Sequence, residues 1–156
     1  MKQIRDLIAE HPFFENFSDA YIDTIASCGK NVAFNPHEYM AREGVSADTF
    51  YLIRRGIVRV EIFLPAKGKQ VIQTLSEGDI AGWSWIFPPY QWTFDLQAMN
   101  EVSAIALDGR CLRGKCEVDH SLGYQLMKTF AQIMVDRLKA SRIQCLDIYG
   151  NSNHGT

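Results

Sequence analysis

Between Gln70 and Gly109 the chain has no lysine and no arginine. With 16 cations in 156 residues, an even spread would place about four there. The same stretch holds five acids, so it carries −5 while the remainder of the chain sums to +3. A phosphate-rich partner is therefore not expected on this segment. The chain as a whole also lacks a basic excess: 16 Lys and Arg face 18 Asp and Glu. Duplex binding depends on cations that displace phosphate counterions, so direct nucleic-acid contact is disfavoured. Long hydrophobic runs are missing too. The longest charge-free stretch, Ile80 to Phe94, is interrupted by Pro88-Pro89 and mixes polar with aromatic residues, which excludes a membrane span. The first residues, Met1-Lys2-Gln3-Ile4-Arg5-Asp6, form no apolar signal-peptide core, so the expected location is cytoplasmic. Only four cysteines occur, Cys28, Cys111, Cys116 and Cys145, and the one close pair is spaced C-x4-C; they read as free thiols. His11, His37, His120 and His154 are scattered over a pre-helix turn, a loop, a helix start and the tail, so no metal site is expected. No G-x-S-x-G, Walker loop or H-E-x-x-H is present, and the chain is not expected to be an enzyme.

What is present is a globular composition, 47% apolar and 22% charged, at a length suited to one domain. Residues 1–150 are read as that domain and 151–156 as a tail. Ile4, Leu7 and Ile8 keep helical spacing up to His11-Pro12. A second helix starts with Ser18 as N-cap and presents Tyr21, Ile22, Ile25 and Ala26 on one face. Helices are thus expected within residues 1–30. From residue 31 to 107 the pattern becomes short alternating runs broken by turn residues, which predicts about eight strands in a sandwich or roll. Ile57-Val58-Arg59-Val60-Glu61-Ile62 alternates, with Val58, Val60 and Ile62 expected inward.

Helical spacing then returns. Asp108 is expected to cap a short helix at 109–116, and Asp119 a long one at 120–149. Two apolar stripes run along the long helix. Leu122, Leu126, Phe130 and Ile133 form the first, which ends at Arg137. Met127, Ala131, Met134, Leu138, Ser141, Cys145 and Ile148 form the second at 4-3-4-3-4-3 spacing, a heptad seam. The seam predicts a homodimer through paired helices; the alternative is that both stripes pack on the β body.

This order of helix, β-roll, short helix and long helix resembles the cyclic nucleotide-binding domain of the catabolite activator type, across about residues 12 to 150. Phe34-Asn35-Pro36-His37-Glu38-Tyr39-Met40-Ala41-Arg42-Glu43-Gly44 is similar to the family's F-x-P-G-E-x-L-x-x-E-G, with His37 where glycine is usual. Phe50-Tyr51-Leu52-Ile53-Arg54-Arg55-Gly56-Ile57-Val58-Arg59-Val60 resembles Y-x-I-x-x-G-x-V-x-V. Leu75-Ser76-Glu77-Gly78-Asp79-Ile80-Ala81-Gly82 is similar to the approach to the family's phosphate-binding cassette. The resemblance implies a double-stranded β-helix or jelly roll with N-terminal helices and a long C-terminal helix. It also implies a cassette that continues with a glycine, a short helix carrying a glutamate for the ribose, and a later arginine for the cyclic phosphate.

The cassette departs from that pattern. Alignment on Gly82 puts Trp83 at the glutamate, and alignment on Leu96-Gln97-Ala98 puts Trp92 at the arginine and Thr93 at its hydroxyl neighbour. Six of the twelve positions 83–94 are aromatic: Trp83, Trp85, Phe87, Tyr90, Trp92 and Phe94. This cluster reads either as a pocket filled by indole rings or as a pocket for a flat or apolar ligand. The candidate ligand-binding residues are Gly82, Trp83, Ser84, Trp85, Trp92 and Thr93, with backbone N–H groups of a helix starting near Trp83 as donors. Few residues follow Tyr149, whereas the family's DNA reader has about seventy, so a sensor half without direct nucleic-acid contact is expected.

The first expectation is a non-enzymatic, ligand-sensing regulatory module whose ligand is a small polar or aromatic molecule other than ordinary cyclic AMP or GMP. A second is a genuine cyclic-nucleotide receptor that uses backbone donors and a remote cation, Arg42, Arg54 or Arg59. A third is a scaffold with a filled pocket that docks a protein partner.

Overall fold

The computed structural model describes residues 2–153, with side chains as far as Leu146. Three short helical pieces lead: α1 (Ile4–Glu10), a 3-10 turn (Pro12–Phe14) and α2 (Asp19–Ala26). Ser18 caps α2, its side chain accepting from the Tyr21 amide at 3.2 Å, and Ile22 and Ile25 are buried on the expected face. Eight strands follow. They are β1 (Gly29–Phe34), β2 (Tyr39–Ala41), β3 (Thr49–Arg55), β4 (Val58–Leu64), β5 (Gly68–Leu75), β6 (Ile80–Ala81), β7 (Asp95–Ala98) and β8 (Val102–Asp108). They form two antiparallel four-stranded sheets in the orders β1-β8-β3-β6 and β2-β7-β4-β5.

The first sheet is covered on both faces. One face joins Phe50, Leu52, Ile105 and Leu107 to the N-terminal helices and to the helices that follow β8. The other joins Ile53, Val102 and Ala104 to Val58, Val60, Leu96 and Ala98 inside the roll. Because both faces are buried, β8 reads as a nearly continuous apolar run rather than an alternating one. In β4 the expected alternation holds for Val58 and Val60 and then breaks. A bulge between Val60 and Glu61 turns Glu61 inward and leaves Ile62 half-buried. Glu61 pairs there with Lys69 at 3.2 Å, and Lys69 also bonds the Tyr39 hydroxyl. His37, in the place of a family glycine, has φ +73°, a left-handed geometry that histidine tolerates better than most residues.

Helix α3 (Gly109–Val118) is capped by Asp108, which accepts from the Cys111 amide at 3.0 Å. Asp119 accepts from the amides of Ser121 and Leu122 and opens α4 (His120–Asn153). The long helix thus runs past the expected end at residue 149, and the residues 151–153 assigned to a tail are helical. Among the described residues, no helix is long and apolar enough to cross a membrane.

The reading of four free thiols is corrected in part. Cys28 and Cys111 form a disulfide with their Cα atoms 5.7 Å apart; Cys116 and Cys145 are free. The pairing of β1 with β8 brings the two together. Gly29 lies opposite Leu107, the Asp108 amide donates to the Cys28 carbonyl at 2.9 Å, and Cys111 follows in the first turn of α3. Burial pushes the Cys116 thiol above its usual pKa, with Glu117 and Asp119 adding to the effect, so little reactive thiolate is expected there.

Candidate ligand-binding cleft

The first stripe of α4 sits on the roll as its spacing requires. Leu122, Leu126 and Phe130 are buried, and Phe130 meets Phe13, Phe50 and Trp85 at centroid distances of 4.9, 5.2 and 5.5 Å. Beyond this anchor the helix continues across the edge of the second sheet, and a cleft of about 700 Å³ lies between the two. Its roll side includes Val60, Thr74, Leu75, Gly82, Trp83, Ser84, Trp92, Phe94 and Leu96; its helix side includes Met134, Arg137, Leu138, Ser141 and Gln144.

Of the six expected ligand residues, Gly82, Trp83, Ser84 and Trp92 are brought together on this wall. Gly82 has φ +105°, and a Cβ there would lie 2.6 Å from the Trp92 ring, so glycine is required both by the backbone and by the indole packed on it. Trp92 is 7% exposed and belongs to the core of the roll. Trp83 is half-buried, edge-to-face with Phe94 at 6.3 Å.

Trp85 and Thr93 are not among the cleft residues, which corrects their assignment. Trp85 is 1% exposed and stacks on Phe50 at 4.9 Å, on the opposite face of the first sheet from the roll interior. Residues 84 and 85 are in a turn rather than a strand, so strand alternation, which would keep Trp83 and Trp85 on one face, does not apply there. Thr93 is exposed. The filled-pocket reading therefore describes Trp92, the open-pocket reading describes Trp83, and Trp85 packs outside the pocket between Phe50 and Phe130.

The expected helix at 83–86 is also absent. Residues 84–89 form turns and bends, with one bond from the Ile86 amide to the Trp83 carbonyl at 3.1 Å. Proline disfavours helical geometry in the residue before it, and Pro88-Pro89 excludes Phe87 and Pro88 from a helix; too few residues remain after Gly82 to propagate one. The turn is held from outside by two arginines. Arg113 of α3 donates to the Trp85 carbonyl and lies 4.1 Å from the Tyr90 ring centroid. Arg137 of α4 donates to the Ile80 carbonyl and lies 4.9 Å from the Trp83 ring centroid.

Arg137 lines the cleft and is a candidate residue that the sequence pattern left unassigned. Its signal was its position: four residues after Ile133, it continues the stripe that buries Phe130 and so faces the roll. Burial lowers its pKa from the ordinary guanidinium value, and the charge of Asp79 opposes that shift. Arginine keeps its charge even so. The three cations expected to act from a distance do not line the cleft. Arg42 pairs with Asp95 at 3.7 Å and covers Tyr39, Arg54 faces a second pocket beside His11, and Arg59 is exposed.

Residues 31–119, more than half of the chain, match the model of the family described as "Cyclic nucleotide-binding domain". The chain belongs to the cyclic nucleotide-binding domain family. A cyclic nucleotide-binding domain from Methylobacillus flagellatus KT has the same fold at a TM-score of 0.79 and 21% identity, covering 93% of this chain and 82% of that one. A Geobacter metallireducens GS-15 protein named for cyclic nucleotide binding matches at a TM-score of 0.78 and 25% identity, over 88% of this chain and 99% of that one. The cAMP/cGMP-dependent 3',5'-cAMP/cGMP phosphodiesterase B of Dictyostelium discoideum is 32% identical over 73 residues, which is 47% of this chain but 6% of that relative. The likeness to the phosphodiesterase thus concerns a domain-sized fragment of a much longer protein.

Proposed function

We propose that this chain is a non-enzymatic regulatory module that senses a small molecule in the cleft between the β-roll and α4. The observation that carries the reading is the cleft's division between two bodies. The roll supplies Gly82, Trp83, Ser84 and Phe94, and the long helix supplies Met134, Arg137, Leu138 and Ser141. A ligand seated there touches both at once, so its binding energy can bias the tilt of α4 relative to the roll. Trp83 at the glutamate position and Trp92 at the arginine position favour a ligand other than ordinary cyclic AMP or GMP.

The second stripe supports a homodimer as the reader of that tilt. Ala131, Leu138, Ser141 and Cys145 are exposed, while Met127 and Met134 are half-buried. Ile148 lies outside the described side chains. A second copy's helix laid along this seam would cover the open side of the cleft, because Leu138 and Ser141 belong to both; a protein partner reading the same face is the alternative occupant.

The test is a thermal-shift panel of cyclic nucleotides, linear nucleotides and planar organic acids on the wild type and on Leu138→Trp, which fills the cleft. A ligand at about a hundred times its Kd adds about 2.7 kcal/mol, or roughly 5–10 °C for a chain this size. Stabilisation by at least one class, lost in Leu138→Trp, is expected. Equal stabilisation of both proteins would move the site elsewhere.

A further inference from the structure

The charge inside the cleft is unbalanced. Among the residues that line it, Arg137 is charged and no Asp or Glu is present. Among the described residues, no carboxylate lies within 4 Å of its guanidinium; the ion pairs found there are made by Lys2, Arg5, Arg42, Lys69 and Arg110. Asp79, whose charge reaches Arg137, is occupied by its own turn, accepting from the Ser76 amide at 2.9 Å. A guanidinium has five N–H donors. One bonds the Ile80 carbonyl, and the group rests against the Trp83 face, which supplies attraction but no acceptor. Among the described residues, its other donors have no protein acceptor. A partly buried cation of this kind is completed by an anion, and a planar one matches its fork with two parallel bonds.

The rest of the wall restricts what can carry that anion. Trp83, Phe94, Leu96, Met134 and Leu138 are apolar, and the polar members are neutral side chains such as Thr74 and Gln144. A second ligand charge of either sign would find no partner, and a hydroxyl-rich body would exchange water for apolar surface. We infer that the cleft takes a planar aromatic monoanion, an arene carboxylate, with its carboxylate on Arg137 and its ring against Trp83. This rests on the cleft being the ligand site, and it assigns the ligand's class.

The probe is naphthoate, compared with its neutral amide naphthamide and with cyclic AMP, by calorimetry on wild type, Arg137→Gln and Leu138→Trp. Charge-assisted bonds to a carboxylate are the strong class, so wild type should prefer the acid over the amide roughly tenfold to a hundredfold. Arg137→Gln should abolish that preference while still binding the amide, which also shows that the variant is folded. Leu138→Trp should bind neither. Equal binding of acid and amide to wild type would overturn the anion assignment and leave the cleft as the ligand site. Tighter binding of cyclic AMP than of naphthoate would replace the carboxylate by a phosphodiester and overturn the class. Binding of naphthoate that survives in Leu138→Trp, or no binding of any probe, would overturn both inferences.

Discussion

Breaking the Cys28–Cys111 disulfide, by reductant or by the double substitution Cys28→Ser/Cys111→Ser, tests the tertiary arrangement at its longest covalent link. The bridge spans 83 residues and closes a loop that contains the whole roll. In the chain-entropy treatment, a loop of that length restricts the unfolded ensemble by about 4.5 kcal/mol at 25 °C. That is a large part of the 5–15 kcal/mol typical of a domain. Urea unfolding followed by tryptophan fluorescence should therefore show the midpoint falling by roughly 2 M on reduction, with an m-value near 2 kcal/mol/M for the oxidised protein. Thiol titration of the denatured, unreduced chain should find two reactive thiols, those of Cys116 and Cys145, rather than four. Four thiols and an unchanged midpoint would show that the bridge does not form and that β1 and α3 are held by packing alone. Disulfides persist in oxidising environments and are reduced in the cytosol, so the outcome also bears on the cytoplasmic location expected from the N-terminal residues.

Two further perturbations separate backbone, burial and charge. His11 is buried, its Nδ1 accepts from the Phe13 amide at 3.3 Å, and desolvation lowers its pKa, opposed by the backbone of Ile53 and Asp79 and the Asp79 charge. The unfolded chain then binds the proton more readily. Stability should be full above the unfolded pKa of about 6.5 and fall as pH drops toward the lower folded value, by at most about 1.4 kcal/mol per pH unit; His11→Asn should flatten that slope in pH-dependent urea titrations. Gly82→Ala should cost about 2–5 kcal/mol, since its Cβ meets Trp92, whereas Gly44→Ala, at φ +85° with nothing within 4 Å, should cost only the 1–2 kcal/mol of left-handed backbone. Equal midpoint shifts in the two variants would refute the close packing of Trp92 on Gly82.

Local signals carried most of the fold. The caps Ser18, Asp108 and Asp119 start the helices expected of them, because an N-cap depends only on residues within one turn. The number of strands was legible for a similar reason, since turn residues mark strand ends locally. What depends on tertiary pairing was not legible. The bulge that turns Glu61 inward is a property of the β4–β5 register, and the disulfide depends on β1 meeting β8 across 83 residues. In the site, the aromatic content was plain in the sequence but its division was not. Trp83 and Trp85 would share a face in a strand, yet the turn at 84–85 separates them: one lines the cleft while the other is buried against Phe50. The segment from Gln70 to Gly109 has no cation, and the remote candidates Arg42, Arg54 and Arg59 lie on the roll, yet the cation that lines the cleft comes from α4. A polar residue that continues an apolar stripe, as Arg137 does, is the pattern that would have located it.

The three indole N–H signals in a proton–nitrogen correlation spectrum report on the central claim most directly, because Trp83, Trp85 and Trp92 occupy three different environments. On saturation with a stabilising ligand, the Trp83 signal should move most, Trp92 less, and Trp85, packed on Phe50, least. Movement of Trp85 with Trp83 unchanged would contradict a ligand site between the roll and the long helix.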